Sequence, residues 1–267
     1  MRAHATATLA GGARNQDHHV VGDGFAAVLD GATSVAGDRS HDPGWYAEQL
    51  GEALGDALAA DPDGRTGEAV ARAIAQVRDA NGLTPATTPT STVAVVRWDE
   101  ERVEAYALGD SIAALIHTDG TETVHTDERL DAVAVAHHRR YLDRLAAGHG
   151  YDDEHRAMLI ELQAEQARHR NLPGGFWIAG AEPDAAHHGL TTTTDRAGVV
   201  GVVLASDGVV LERYASGATW AVLHHDAVAH GPDGVLARVH DAEERDPDGR
   251  RWPRAKRHDD KTLVVLA

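Results

Sequence analysis

Four aspartates stand where an apolar run begins or ends: Asp30 after Ala26-Ala27-Val28-Leu29, Asp110 after the run closed by Gly109, Asp207 after Val202 to Ser206, and Asp259 shortly before Thr262 to Leu266. Three of them adjoin glycine, in Asp30-Gly31, Gly109-Asp110 and Asp207-Gly208. Glycine lets the backbone turn sharply and lets a peptide carbonyl approach an ion. A carboxylate at the edge of a buried sheet is costly unless it is paired or coordinates a cation. Hard oxygen donors of this kind suit Mg2+ or Mn2+, and two such ions about 3.5–4 Å apart can clamp a phosphoryl group and activate water near neutral pH. A single Asp-Gly is by itself only a turn signal. The inference therefore rests on the order and context of all four.

Composition removes competing chemistries. There is no cysteine, hence no disulfide, no thiolate metal site and no cysteine nucleophile, and any metal must be held by oxygen or imidazole. The 18 histidines include the adjacent pairs His18–His19, His137–His138, His187–His188 and His224–His225, which cannot share one face of a helix or strand. No HExxH spacing occurs, so a dedicated histidine metal site is not expected. A formal charge of −17 with scattered Lys and Arg argues against a nucleic-acid partner. The one short basic run, Arg250 to Arg257, sits close to Asp259–Asp260 and reads as a local feature. No apolar stretch approaches the roughly 20 residues that span a bilayer, and MRAHATATLAGG lacks the apolar core of a secretory signal. The expected setting is the cytoplasm, without a membrane partner.

The elements that must position the aspartates follow from pattern. His18 to Ala32 reads as a hairpin around Gly22-Asp23-Gly24, its second arm leading into Asp30-Gly31. Asp42 before Pro43 looks like an N-cap, and Leu50, Ala53, Leu54, Ala57 and Leu58 recur at helical spacing. A second helix, with Val70, Ile74 and Val77 on one face, should end near Asn81-Gly82. Thr92 to Trp98, Arg102 to Leu108, Ile112 to Ile116 and Glu122 to Val124 then read as an antiparallel meander. Residues 128–170 turn helical and highly charged, with Leu142, Leu145, Met158, Leu159 and Leu162 spaced along them. Strands are expected again at Phe176 to Ala179, Thr191 to Thr194, Val199 to Ala205 (buried on both faces) and Thr262 to Leu266, with helices over about 208–246. Strands and helices fall in blocks rather than regular alternation, which implies an antiparallel sheet core with helices outside, in one domain over 1–267.

The succession Asn15-Gln16-Asp17, Val28-Leu29-Asp30-Gly31-Ala32-Thr33, Leu108-Gly109-Asp110-Ser111, Leu204-Ala205-Ser206-Asp207-Gly208-Val209 and Asp259-Asp260-Lys261-Thr262-Leu263-Val264-Val265 resembles the PPM-type, or type 2C, metal-dependent Ser/Thr protein phosphatases over nearly the whole chain. The resemblance implies an α+β fold of two packed antiparallel β-sheets flanked by helices, an α-β-β-α sandwich with a two-metal centre at one end. It implies Asp30 as the bridging ligand of two Mn2+ or Mg2+ ions, with the Gly31 carbonyl, Asp207, Asp259 and Asp17 completing the set, and Asp30 and Asp207 at the heart of catalysis. It further implies a phosphoprotein substrate, a partner Ser/Thr kinase, and a flap-like role in substrate selection for the insertion at about 128–170, which reads equally well as solvated helices packed on the sheet.

The chain departs from the family pattern at several positions. Gln16 stands where many members carry Glu, and Ala32 where many carry the histidine that protonates the leaving group, leaving His41 as a candidate for that role. The phosphate-binding arginine position is Gly12, with Arg14 two residues away as the nearest substitute. Leu211 replaces the acidic helper of a third ion near Asp110. Expected is an enzyme of modest rate; the alternatives are a catalytically weak regulator that binds phosphoproteins, or a phosphatase of small metabolites.

Overall fold

The computed structural model describes residues 1, 3–32 and 41–267, so Thr33 of the second signature lies outside the described residues. Among the described residues ten strands form two five-stranded sheets in which every pairing is antiparallel. The first has the order β2 (Asp17–Gly22), β3 (Phe25–Gly31), β4 (Ser91–Trp98), β5 (Arg102–Leu108) and β8 (Leu190–Asp195). The second has the order β1 (Ala3–Leu9), β10 (Lys261–Leu266), β9 (Val199–Ala205), β6 (Ile112–His117) and β7 (Glu122–His125).

Period-two alternation decides which side chains meet. On β3, Phe25, Ala27 and Leu29 pack under α1 (Pro43–Ala60) and α2 (Thr66–Asn81), while Ala26 and Val28 point at the second sheet. On β9 and β10, Val202, Leu204, Val264 and Leu266 point back at the first sheet, and Val203, Ala205, Leu263 and Val265 pack under α6 (Trp220–His230) and α7 (Pro232–Glu244). The result is the expected α-β-β-α sandwich of the α+β class. Asp42 caps α1 by accepting from the Gly44 amide at 3.0 Å, with Pro43 in the first turn. α2 stops where Gly82 enters the left-handed region at φ 61°. No helix among the described residues is long and apolar enough to cross a membrane.

Three strand expectations need correction. The proposed meander is divided: β4 pairs with β5, but β6 and β7 lie in the other sheet, against β9. Gly109, at φ 85°, turns the chain between sheets, and alternation along a strand carries no information about which strand it joins. Phe176 to Ala179 makes only isolated bridges, Ala179 with Ser91 and Phe176 with Arg170, because Phe176 and Ile178 pack with Val133 in a small separate cluster. Val200 is 53% exposed, so β9 is not buried along both faces at its start. The 128–170 stretch is helical as expected: a short 3-10 turn, then α3 (Val135–Ala146) and α4 (Asp153–Ala167), which share a small core of Tyr141, Leu145, Met158, Leu159 and Leu162. The remaining short helix, α5 (Leu211–Tyr214), follows β9.

Candidate metal centre

Alternation carries acidic side chains to one end of the seam between the sheets. Asp30 continues the series Ala26, Val28 and so emerges between the sheets as β3 ends. Asp17, the first residue of β2, is its direct partner in the β2–β3 register. Side chains opposite one another in antiparallel strands lie about 5 Å apart at Cβ, and like charges there repel. From the other sheet, Asp207 follows β9 by two residues and Asp259 precedes β10 by two. Asp30, Asp207, Asp259 and Asp110 line one cavity of about 280 Å³.

Glycines permit the close approaches. A Cβ on Gly31 would lie 2.6 Å from the Pro43 carbonyl oxygen and 2.7 Å from that of Gln16, whose oxygen accepts from the Gly31 amide at 3.0 Å. A Cβ on Gly11 would lie 2.4 Å from the carbonyl carbon of Asp259. Asp260, buried beside Asp259, fixes this packing by accepting from the amides of Gly11 at 2.7 Å and Gln16 at 2.9 Å. The β1–β2 connection is thereby tied to the start of β10.

The electrostatics are those of desolvated like charges. Ser206 donates to Asp17 Oδ2 at 2.7 Å, whereas the buried Asp17 Oδ1 has no partner. Burial, against hydrogen bonds from Ser206 and Thr262 and reinforced by Asp207 and Asp260, pushes the Asp17 carboxyl up to about 7. Asp30 is held well above the usual carboxylate range by burial and then by Asp17, Asp207 and Asp259. Asp207 keeps an exposed surface, yet desolvation within the crowded site and then Asp259 raise its carboxyl, and a hydrogen bond with Asp30 opposes the rise. Burial, then Asp207, pushes Asp110 up to about 7. A hard divalent cation suits this donor set: it consists of carboxylate oxygens, one of them buried without a partner, whose mutual repulsion a cation would relieve. The Asp30, Asp207 and Asp259 carboxylates do not form a closed cage, since the only three His, Asp or Glu ligand atoms within 4.8 Å of one another among the described residues belong to His240, Glu243 and His258.

That histidine-containing group was not foreseen, because the argument against histidines covered only adjacent pairs and the HExxH spacing. Glu243 is fully buried and accepts from Lys261 Nζ at 2.7 Å and Arg213 Nη1 at 2.8 Å, with His258 Nδ1 at 3.2 Å. Its charge is met by the protein itself, and it forms an ion network behind Asp259.

Other expected residues fall apart from the cavity. Arg14 is exposed in the β1–β2 connection and does not line it. His41 is exposed and stacks on Trp45 at 4.1 Å between ring centroids, also away from the lining. Leu211 packs with the α6–α7 core; Asp110 has Asp127 and Asp131 as acidic neighbours instead, and Asp127 is ion-paired with Arg129. Sequence reasoning missed His138, Asp131 and Lys256, all of which line the cavity. Only Lys256 had a visible signal, its place in the basic run beside Asp259.

The sequence matches no protein-family model and no curated protein. The backbone matches solved structures along nearly its whole length. It is similar to the PPM Ser-Thr phosphatase MsPP from Mycobacterium smegmatis, solved with cacodylate, at 21% identity and a TM-score of 0.54, covering 98% of this chain and 96% of that one. The catalytic domain of the serine/threonine phosphatase PstP, solved with two manganese ions, is 17% identical with a TM-score of 0.54 over 98% and 95%. Stp1 from Staphylococcus aureus is 12% identical with a TM-score of 0.56 over 98% and 93%. The fold of this chain is that of the PPM-type Ser/Thr phosphatases.

Proposed function

We propose that this chain is a metal-dependent phosphatase that hydrolyses phosphoserine and phosphothreonine in proteins, as a single domain over 1–267. In this reading Asp17, Asp30, the Gly31 carbonyl, Asp207 and Asp259 hold two Mn2+ or Mg2+ ions, and Asp30 and Asp207 are the central catalytic side chains. The observation that carries it is the meeting of the Asp30, Asp207 and Asp259 carboxylates, from both sheets, at one cavity, with Asp17 opposite Asp30 and its buried Oδ1 orphaned. The ions would supply activation of the attacking water and neutralisation of charge on the phosphoryl group. The chain's own part is positioning: Ser206 orients Asp17, the β2–β3 register sets Asp17 against Asp30, and Asp260 anchors the backbone beside Asp259. The substrate is then a phosphoprotein, with a Ser/Thr kinase as the opposing partner and the 128–170 insertion shaping substrate entry.

One observation favours a second reading, a phosphatase of small metabolites: the far wall of the cavity is apolar, built from Leu130, Leu159, Leu162, Phe176 and Ile178. A single assay addresses both. Hydrolysis of p-nitrophenyl phosphate is expected to require Mn2+ or Mg2+ and to stop in EDTA, and a phosphopeptide panel is expected to be turned over in preference to small phosphate esters. Turnover that survives chelation removes the metal mechanism, and preference for small esters removes the protein substrate. Binding of phosphopeptides without turnover identifies a regulator.

A further inference from the structure

The cavity is acidic to a degree that poses a problem for any phosphate ligand. Asp30, Asp110, Asp127, Asp131, Asp207 and Asp259 line it, and among the described residues the only Lys or Arg in its lining is Lys256. The arginine expected to grip phosphate is missing at Gly12, and Arg14 stands outside.

Lys256 is held in place by its surroundings. The irregular segment before β10 is threaded by the buried Arg254 side chain, which donates to Asp246 Oδ2 at 2.9 Å and to the carbonyls of Glu243, Asp246, Trp252 and Arg257. With that backbone fixed, the Lys256 stem reaches the acidic ring, and Nζ donates to Asp259 Oδ1 at 2.6 Å. Its side chain is 33% exposed and lines both this cavity and a neighbouring one.

We propose that Lys256 is the phosphate-binding residue of this site, replacing the arginine absent at Gly12: its ammonium pairs with Asp259 when no ligand is bound and donates to a phosphoryl oxygen when one is. The ammonium suits this dual role. It is a compact charge on a flexible stem with three donors, of which Asp259 takes one. The proposal rests on the phosphatase reading of the site, and its test separates the two.

The experiment titrates inorganic phosphate into Mn2+-loaded protein by calorimetry, and Mn2+ into metal-free protein, for wild type, Lys256→Met and Lys256→Arg, with thermal unfolding as the check on folding. Lys256→Met is expected to weaken phosphate binding about 10- to 100-fold, the loss of one charge-assisted hydrogen bond, while Mn2+ binds as tightly as in wild type or more tightly. Lys256→Arg is expected to stay within about threefold of wild type for phosphate, since a cation with donors is retained. Unchanged phosphate affinity in Lys256→Met overturns the proposal, and if Mn2+ affinity rises at the same time, Lys256 is only an internal counter-ion to the carboxylates. Wild-type protein that binds no phosphate, with or without Mn2+, also overturns it. Should Met fail to fold, a tenfold or greater loss of phosphate affinity in a folded Lys256→Gln protein upholds it and an unchanged affinity overturns it. A wild type that binds phosphate through Lys256 yet turns over no ester defeats the phosphatase reading and leaves the phosphate site standing.

Discussion

One oxygen of Asp17 is satisfied by Ser206 and the other by nothing in the fold, so the residue itself reports the stress of this site. Its carboxyl is raised from 3.8 to about 7, which means the folded state keeps a proton that the unfolded state has already lost between those values. Stability of the metal-free protein is therefore expected to fall as pH rises from about 4 to about 7 and to level off above. Urea unfolding in EDTA at stepped pH measures the slope, and saturating Mn2+ is expected to flatten it, because a bound cation keeps the carboxylates ionised in the folded state. Asp30→Asn should abolish turnover while leaving metal-free protein at least as stable as wild type, since it removes a carboxyl whose ionisation its surroundings oppose. Urea midpoints with parallel rate measurements decide this, and a clear loss of stability would contradict the electrostatic account. At this scale the sequence was informative where chemistry leaves a local mark: Asp30, Asp110 and Asp207 were legible from the glycines beside them. Lys256 was visible only as part of a basic run beside Asp259; its place in the cavity was not, because it lies in an irregular segment whose path depends on the buried Arg254 side chain.

The elements that present these residues rest on local signals of different strength. The α1 cap is one: Asp42→Ala should lower stability by about 1 kcal/mol, read as a shift in the urea midpoint with unchanged slope. Gly31 is another, because its place against Pro43 and Gln16 leaves no room for a side chain. Gly31→Ala is expected to cost about 1–3 kcal/mol and to displace Asp30 enough to lose most turnover, measured by unfolding and by Mn2+-dependent rate. The hairpin, the caps and the amphipathic helices could be read from the chain because each is decided by residues within a few positions of one another. The passage from β5 to β6 into the other sheet could not, since alternation along a strand is the same whichever neighbour it joins.

Across the whole molecule, the buried network around Glu243 joins α7, the segment before β10 and β10 itself. Lys261 and Glu243 are both fully buried, so removing Glu243 leaves the Lys261 ammonium without its carboxylate. Glu243→Ala is expected to lower unfolding free energy by about 3–5 kcal/mol, measured by urea denaturation, and Asp259 would lose its support with it. An antiparallel sheet core with helices outside was legible because blocks of strands and helices restrict how apolar faces can be covered, whereas its division into two sheets came only with the family resemblance. The end of the sandwich at which the candidate site lies was legible only through the aspartates.

Asp17 and Asp30 belong to one sheet, while Asp207 and Asp259 flank β9 and β10 of the other. A cation held among them would act as a rivet through both layers, so occupancy of the site and cohesion of the sandwich become one equilibrium. Slow amide exchange in β3 and β10 should then rise and fall with free Mn2+, and the cell's supply of that ion would set the protein's lifetime as well as its rate.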